Sequence, residues 1–407
     1  MRRNLLASSN HSDPDIVCAA RAVAPRNIPR LPVLGWNSFK GPRDSDVPSV
    51  LDARELVYTQ SGRAAIALAL RLLGIGHGDK VLVPTYHCPT MIVPIVAAGA
   101  EPVFYPLDVS GSPSMEFLEQ HSGSGVRAIL VAHYFGISQP MLRLRRLCDD
   151  AGIALIEDCA HALFGTADGR SVGSWGDFAI ASLTKFLPVS EGGCLVSNIR
   201  SLSELTLQRR SVIDEVRASV DAVEIGVQHN RFPGLNHPLK ALFRVKGALR
   251  RKLSSGRGSE PQPSGSMRRN GSPQTLEPAE PARAVRWIAR HAARSTIVSR
   301  RKQNYVRLAE LLYKIPGLRV LHENLPENTV PYVLSVLVDD PDVKYHRLRL
   351  RGIPIYRWDE VWWSTPTLPG DVGLTWARQV FQLGCHQDLS LDDLEAMASE
   401  IRQVFHI

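Results

Sequence analysis

No apolar run in this chain approaches the roughly 20 residues that a membrane-crossing helix needs, so no membrane span is expected. The N-terminus, MRRNLLASSNHSD, is basic but has only two leucines before it turns polar. That is too little for the apolar region of a signal peptide, and a cytoplasmic protein is expected. The six cysteines (Cys18, Cys88, Cys148, Cys159, Cys194 and Cys385) form no C-x-x-C pair, so no metal is expected. Cys159 and Cys194 sit in apolar strand contexts that suit reduced, buried thiols. The basic excess between Arg200 and Lys302 lacks interleaved aromatics and any helix-turn-helix pattern, so nucleic acid is not the expected partner. Its arginines alternate with Ser, Gly and Pro, as in a solvated loop that could attract an anion such as a nucleotide diphosphate.

What remains is an ordinary globular composition. The chain has 407 residues, 44% apolar and 22% charged, with net charge +8. This length can bury a large core and suggests two or three domains. From Tyr58 onward short apolar strands alternate with helical stretches: KVLVP, EPVFY, VRAILVA, IALIED and FAIASL. Such alternation predicts a mainly parallel sheet covered by helices, whose ligands bind beyond the carboxyl ends of the strands. The stretch TQSGRAAIALALRLLGIG reads as a helix capped by Ser61. A helix starting there turns free N–H groups and a positive dipole end outward, which suits a phosphate, although a capped core helix is the plainer reading.

Two strand ends carry the chemistry. ALIEDCAHA ends on Glu157 and Asp158, with His161 three residues later, and FAIASLTKFLPVSEGG carries Lys185 beside a strand end. A lone lysine is usually a solvated surface residue. An amine and a carboxylate at neighbouring strand ends, however, could converge on one ligand, as pyridoxal phosphate requires: an amine for its aldehyde and an acid for its pyridinium nitrogen.

The run EDCAHALFG…GSWGDFAIASLTK…EGG resembles the DegT/DnrJ/StrS family of aminotransferases, and the likeness extends from about Tyr58 to the C-terminus. The resemblance implies a fold type I α/β architecture: a large domain with a mainly parallel sheet between helices, and a smaller C-terminal α+β domain. It implies pyridoxal 5'-phosphate as cofactor and a homodimer. It makes Lys185 the catalytic amine and base and Asp158 the partner of the ring nitrogen. His161 would bond the ring hydroxyl; a loop histidine is the competing reading. Ser182 and the amides of Gly62, Arg63 and Ala64 would bind the phosphate, with Arg63 standing where the family usually has Thr. For the ring that stacks on the cofactor the candidates are Tyr86 and His87, with Cys88 at the position reached by direct count; His87 is favoured. Arg357 and Trp358, in YRWDEVWW, are candidate substrate contacts, or else a structural cluster.

The expected organisation is an N-terminal arm (1–50), a large cofactor domain (51–240), a basic low-complexity insert (241–282) and a small C-terminal domain (283–407). The family's Asn-x-Arg-Met-Ser segment has no counterpart. The implied reaction moves an amino group from an amino acid, L-glutamate in the family, to a nucleotide-linked keto sugar for polysaccharide or secondary-metabolite assembly. Some relatives are dehydratases with His where this chain has Lys185, so the lysine favours amino transfer. The competing reading is a pyridoxal phosphate protein kept for regulation or sensing.

Overall fold

A computed structural model of the chain describes residues 27–43, 46–123, 125–254 and 276–406. Cys18 and most of the expected arm, like residues 255–275 of the expected insert, lie outside them. In chain order the first half runs β1 (Leu56–Thr59), α1 (Gly62–Leu72), β2 (Lys80–Pro84), α2 (Pro89–Ala97), β3 (Glu101–Tyr105), α3 (Met115–His121), β4 (Val126–Ala132), α4 (Met141–Ala151) and β5 (Ala154–Asp158). A small hairpin, β6 (Thr166–Ala167) and β7 (Arg170–Ser171), precedes β8 (Phe178–Ser182) and β9 (Gly193–Ser197).

These strands, apart from the hairpin, form a seven-stranded sheet in the order β3-β2-β4-β5-β8-β9-β1. The pairs from β3 through β8 are all parallel, and β9 runs antiparallel to both β8 and β1. Helix α1 packs on β8 and β9, α2 on β3 and α4 on β5. The central parallel strands β4, β5 and β8 are almost wholly buried, which explains why they read as apolar runs. Because all five point the same way, residues that follow β4, β5 and β8 gather along one edge.

The start of β9 explains the double glycine of the EGG run. A Cβ on Gly193 would lie 2.4 Å from both the Gly62 nitrogen and the Ser61 carbonyl carbon. Only glycine lets the turn into α1 lie against this strand.

After β9 come α5 (Val212–Gln228) and α6 (Asn236–Ser254), which pack together. Helix therefore continues well past residue 241, where the low-complexity insert was expected to begin. Two helices follow, α7 (Arg283–His291) and α8 (Arg294–Leu312). A small antiparallel sheet follows, in the order β10 (Leu318–Val320), β11 (Val333–Val338), β13 (Val380–Gly384), β12 (Ile355–Tyr356). Helices α9 (Pro341–Leu350), α10 (Gly373–Gln379) and α11 (Leu391–Phe405) accompany it. Ser390 caps α11 in a reciprocal box with Asp393.

Two apolar clusters are buried: one fills the large sheet and takes in Val333, Trp358, Trp376 and Val380 of the small domain, and the other lies among α8, α11 and the small sheet. The segment from Ile28 to Val33 docks on the small domain. Ile28 enters the small-domain core, Pro29 C=O accepts from His386 Nε2 (3.0 Å), and Val33 N–H donates to Asp388 Oδ2 (3.2 Å). Within the described residues this stretch packs on its own chain.

Candidate active site

A cavity of about 570 Å³ opens at the carboxyl edge of the large sheet. Its floor comes from the residues that follow three parallel strands: His133 and Tyr134 after β4, Asp158 and His161 at β5, and Ser182, Thr184 and Lys185 at β8. The N-terminal turn of α1 supplies Ser61, Gly62 and Arg63, and the small domain adds Tyr332, Tyr356, Trp358 and Gln382. Arg30, with Pro29 and Leu31 to Val33, closes one side.

Lys185 lies at the end of a single helical turn, Leu183–Lys185, directly after β8. Burial is the largest influence on its amine and pushes its pKa below that of an ordinary lysine, with Asp158 and Cys88 opposing. Asp158 is 6% exposed, and its Oδ1 accepts the Ala160 N–H at 2.8 Å. Burial raises its carboxyl above the usual range, and Lys185 pulls it back. The two groups feel each other's charge, yet among the described residues no ion pair joins them. An empty basic amine and a buried acid held on the walls of one cavity are chemically poised for a polar guest between them.

At the α1 end, Ser61 Oγ accepts the Ala64 N–H at 3.2 Å. The Ala64 amide, expected to bind phosphate, is therefore committed to the cap, and Ala64 is fully buried outside the cavity. Gly62 and Arg63 remain on the wall. A Cβ on Gly62 would stand 3.7 Å from Ser182 Cβ, so the helix start adjoins the Ser182 and Thr184 hydroxyls, themselves 3.4 Å apart. Helix N–H groups, two hydroxyls and the Arg63 guanidinium make this corner suited to a phosphate.

His161 is buried, stacked on Tyr332 (centroids 4.4 Å apart) and close to Trp358 (5.0 Å). Its Nδ1 accepts the Phe135 N–H at 3.3 Å, and burial holds its pKa far below that of ordinary histidine. The neutral ring must therefore carry its hydrogen on Nε2, which has no protein acceptor among the described residues. Phe135 itself sits at φ 60°, a strained turn that also brings Gly136 (φ 101°) against Val330 and Pro331.

Two expected residues lie elsewhere. His87 is fully buried away from the cavity: its Nδ1 donates to Pro84 C=O at 3.0 Å, and its Nε2 accepts the Trp362 N–H at 3.0 Å. Cys88, one residue on, lines the cavity instead, at the position that direct counting had indicated. Arg357 is likewise turned away, paired with Asp342 (2.7 Å) and Asp359 (2.9 Å) over the Tyr345 ring, whereas Trp358 beside it faces the cavity. In both places adjacent residues face opposite ways, so an error of one position reverses the assignment. Tyr332, Tyr356, Gln382 and Arg30 escaped the sequence reading. Each sits far from the strand-end motifs in the chain and carries no local signal.

Glu157, the other half of the acidic pair, faces away from Asp158 and is fully buried. Its carboxylate accepts N–H groups from Gly173 (2.6 Å), Trp175 (3.0 Å) and Gly176 (3.1 Å), and from His133 Nε2 (2.9 Å). His133 Nδ1 accepts the Gln139 N–H at 3.0 Å, which fixes the tautomer. The GSWG run is thus a cradle for a buried anion that anchors the β4 and β5 ends. His133, Glu157 and Cys159 come close enough to suggest a metal, but Glu157 is already saturated by N–H donors.

The seven-stranded sheet, the small antiparallel domain and a lysine–aspartate cavity at the strand ends define the fold of the type I aminotransferases. An aminotransferase from Streptoalloteichus hindustanus, TlmJ, superposes with TM-score 0.60 over 86% of both chains at 23% identity, a likeness of fold. Residues 45–217 match the sequence model of the DegT/DnrJ/EryC1/StrS aminotransferase family. GDP-perosamine synthase of Vibrio cholerae is 33% identical over 171 residues, 40% of this chain and 47% of the relative. EpsN of Bacillus subtilis, whose name places it among pyridoxal phosphate-dependent aminotransferases, is 33% identical over 179 residues, 42% and 46% of the two chains. The chain thus spans about half the length of the curated relatives it matches. No helix among the described residues is long and apolar enough to cross a membrane.

Proposed function

We propose that this protein is a pyridoxal 5'-phosphate-dependent aminotransferase acting on a nucleotide-linked keto sugar, with an amino acid such as L-glutamate as donor. The observation that carries this reading is the single cavity walled by Lys185, Asp158 and the N-terminus of α1. The residues present fit the cofactor: an anion-binding corner at Gly62, Arg63, Ser182 and Thr184, a buried carboxylate at Asp158, and an amine that burial favours in its neutral form at Lys185. When bound, pyridoxal phosphate supplies an aldehyde for amines and an electron-poor ring that accepts the electron pair left at a donor Cα.

Lys185, as a neutral amine, takes the proton from Cα of the amino donor and returns one to the acceptor carbon. Asp158 keeps a proton on the ring nitrogen, because a cation against a buried carboxylate favours the charged form of both. His161 Nε2–H is a donor for an oxygen on the ring. Tyr332, Tyr356 and Trp358 exclude water and give flat surfaces for a sugar. Arg30, held 5.0 Å over the Tyr356 ring, offers a guanidinium to the carboxylate or diphosphate of a substrate.

The test is spectroscopic. Full-length protein loaded with pyridoxal phosphate is expected to show a visible band that L-glutamate bleaches and a keto-sugar nucleotide restores. A band indifferent to every amino acid would overturn the transaminase reading and favour a regulatory protein. A homodimer is part of the same reading, supported by exposed Val212, Ile213 and Val216 on α5 and Leu242 and Val245 on α6. Sedimentation is expected to give twice the chain mass, and a fully active monomer would refute it. Action in the cytoplasm, where nucleotide sugars are assembled, also belongs to this proposal.

A further inference from the structure

Arg301, on α8, is the largest fully buried side chain among the described residues. No carboxylate pairs with it there. Instead its planar fork is filled by neutral acceptors from distant parts of the chain. Nη2 donates to Lys185 C=O at 2.7 Å, Nη1 to Pro331 C=O and Tyr332 C=O at 3.1 Å each, and Nε to Gln387 Oε1 at 3.0 Å. The guanidinium lies 4.4 Å over the Phe186 ring. Gln387 completes the clamp by donating from Nε2 to Phe186 C=O at 2.9 Å. Arg301 and Gln387 together hold the carbonyls of the two consecutive residues that end the lysine turn.

The other end of the clamp is the wall opposite. Tyr332, whose carbonyl Arg301 holds, has its ring 5.4 Å from Lys185 Nζ and stacked at 4.4 Å on His161. One side chain therefore ties the amine's backbone in the large domain to the aromatic face in the small domain. Burying a guanidinium without a counter-ion is costly, and lysine could not replace it, since three donors at one point cannot reach acceptors spread along a plane.

We propose that Arg301 is a positioning residue, which sets the height of Lys185 between Asp158 and Tyr332 and locks the small-domain wall to the lysine turn. The proposal rests on Lys185 being the reacting amine, but its geometry is tested without turnover. In the cofactor-free full-length chain, labelling of Lys185 by trinitrobenzenesulfonate is followed by peptide mass spectrometry as a function of pH. The charged and titratable groups that bear on the amine there are Asp158, Cys88, Arg30, His161 and Tyr332.

In Arg301→Lys and Gln387→Leu the turn is released toward water. The labelling midpoint is expected to rise by about one pH unit toward that of ordinary lysine. In the loaded protein kcat falls about tenfold with acceptor KM little changed, as expected for a misplaced base. Circular dichroism and thermal unfolding report the fold separately. Variants that are folded but keep the wild-type midpoint would overturn the proposal, as would lost stability with no change in midpoint. If Arg301→Lys does not fold, Gln387→Leu and Phe186→Leu decide by the same midpoint. A shifted midpoint in a protein that transfers no amino group would sink the transaminase reading and leave the positioning role standing.

Discussion

Replacing Lys185 by alanine is expected to lower kcat/KM for amino transfer by about 10⁴-fold, the upper range for loss of a positioned general base. The argument is local. The amine is buried at the end of a strand, its pKa is held down by burial, and Asp158 is the acid it senses most strongly. Among the described residues no other lysine lines the cavity, so no neighbour supplies a second aliphatic amine. Lys185→Arg separates two roles. Arginine keeps a cation but cannot become neutral, and so fails as a base while preserving charge. Steady-state rates with L-glutamate, alongside unfolding curves, decide: near-wild-type turnover in the arginine variant would mean that charge, not proton transfer, is what the site needs. Asp158→Asn removes the carboxylate but keeps its shape, and a loss of about 10²-fold is expected for the weaker hold on the ring proton.

The second large effect concerns stability and sits one residue away. Glu157→Ala strips four donors of their acceptor in a site closed to water, and is expected to cost about 3–5 kcal/mol. Glu157→Gln keeps the volume, but its amide turns N–H toward backbone N–H groups, so a loss of about 2–3 kcal/mol is expected. The sign of the pH dependence follows from the same bonds. Burial alone would raise the Glu157 carboxyl; the His133 bond and the Gly173 and Gly176 amides outweigh it and leave the group below its ordinary value. Its contribution is therefore complete above the ordinary glutamate pKa of about 4.3 and disappears as the pH falls through its lower folded value. Urea denaturation at pH 7 and pH 4 checks both points. Equal midpoints for wild type and Glu157→Ala at pH 7 would show that the buried anion stabilises nothing.

These two adjacent acids show where legibility ended. Both were visible at a strand end, and Asp158 was chosen for the ring nitrogen on the family resemblance. That Glu157 instead turns to the GSWG amides needs the β5 register and the path of a loop some 16 residues further on. The Ser61 cap and the strands of the large sheet were readable, because each rests on periodicity or a cap within a few residues; the small α+β domain came from the resemblance, and its antiparallel pairing from the structure. The first part of the basic stretch, to Ser254, is helical and packs against α5.

Local pattern was enough to specify an alternating α/β chain with Lys185 and Asp158 brought to the same edge of its sheet. Strands that run parallel in one sheet, as β5 and β8 do, end on the same side whatever connects them. Which residues face inward was another matter: Cys88 rather than His87, Trp358 rather than Arg357, and Arg301 against a lysine 116 positions away in sequence. Those choices depend on the path of the segments that follow β2 and β12 and on contacts between domains, where a shift of a single residue turns a side chain from the cavity to the opposite face.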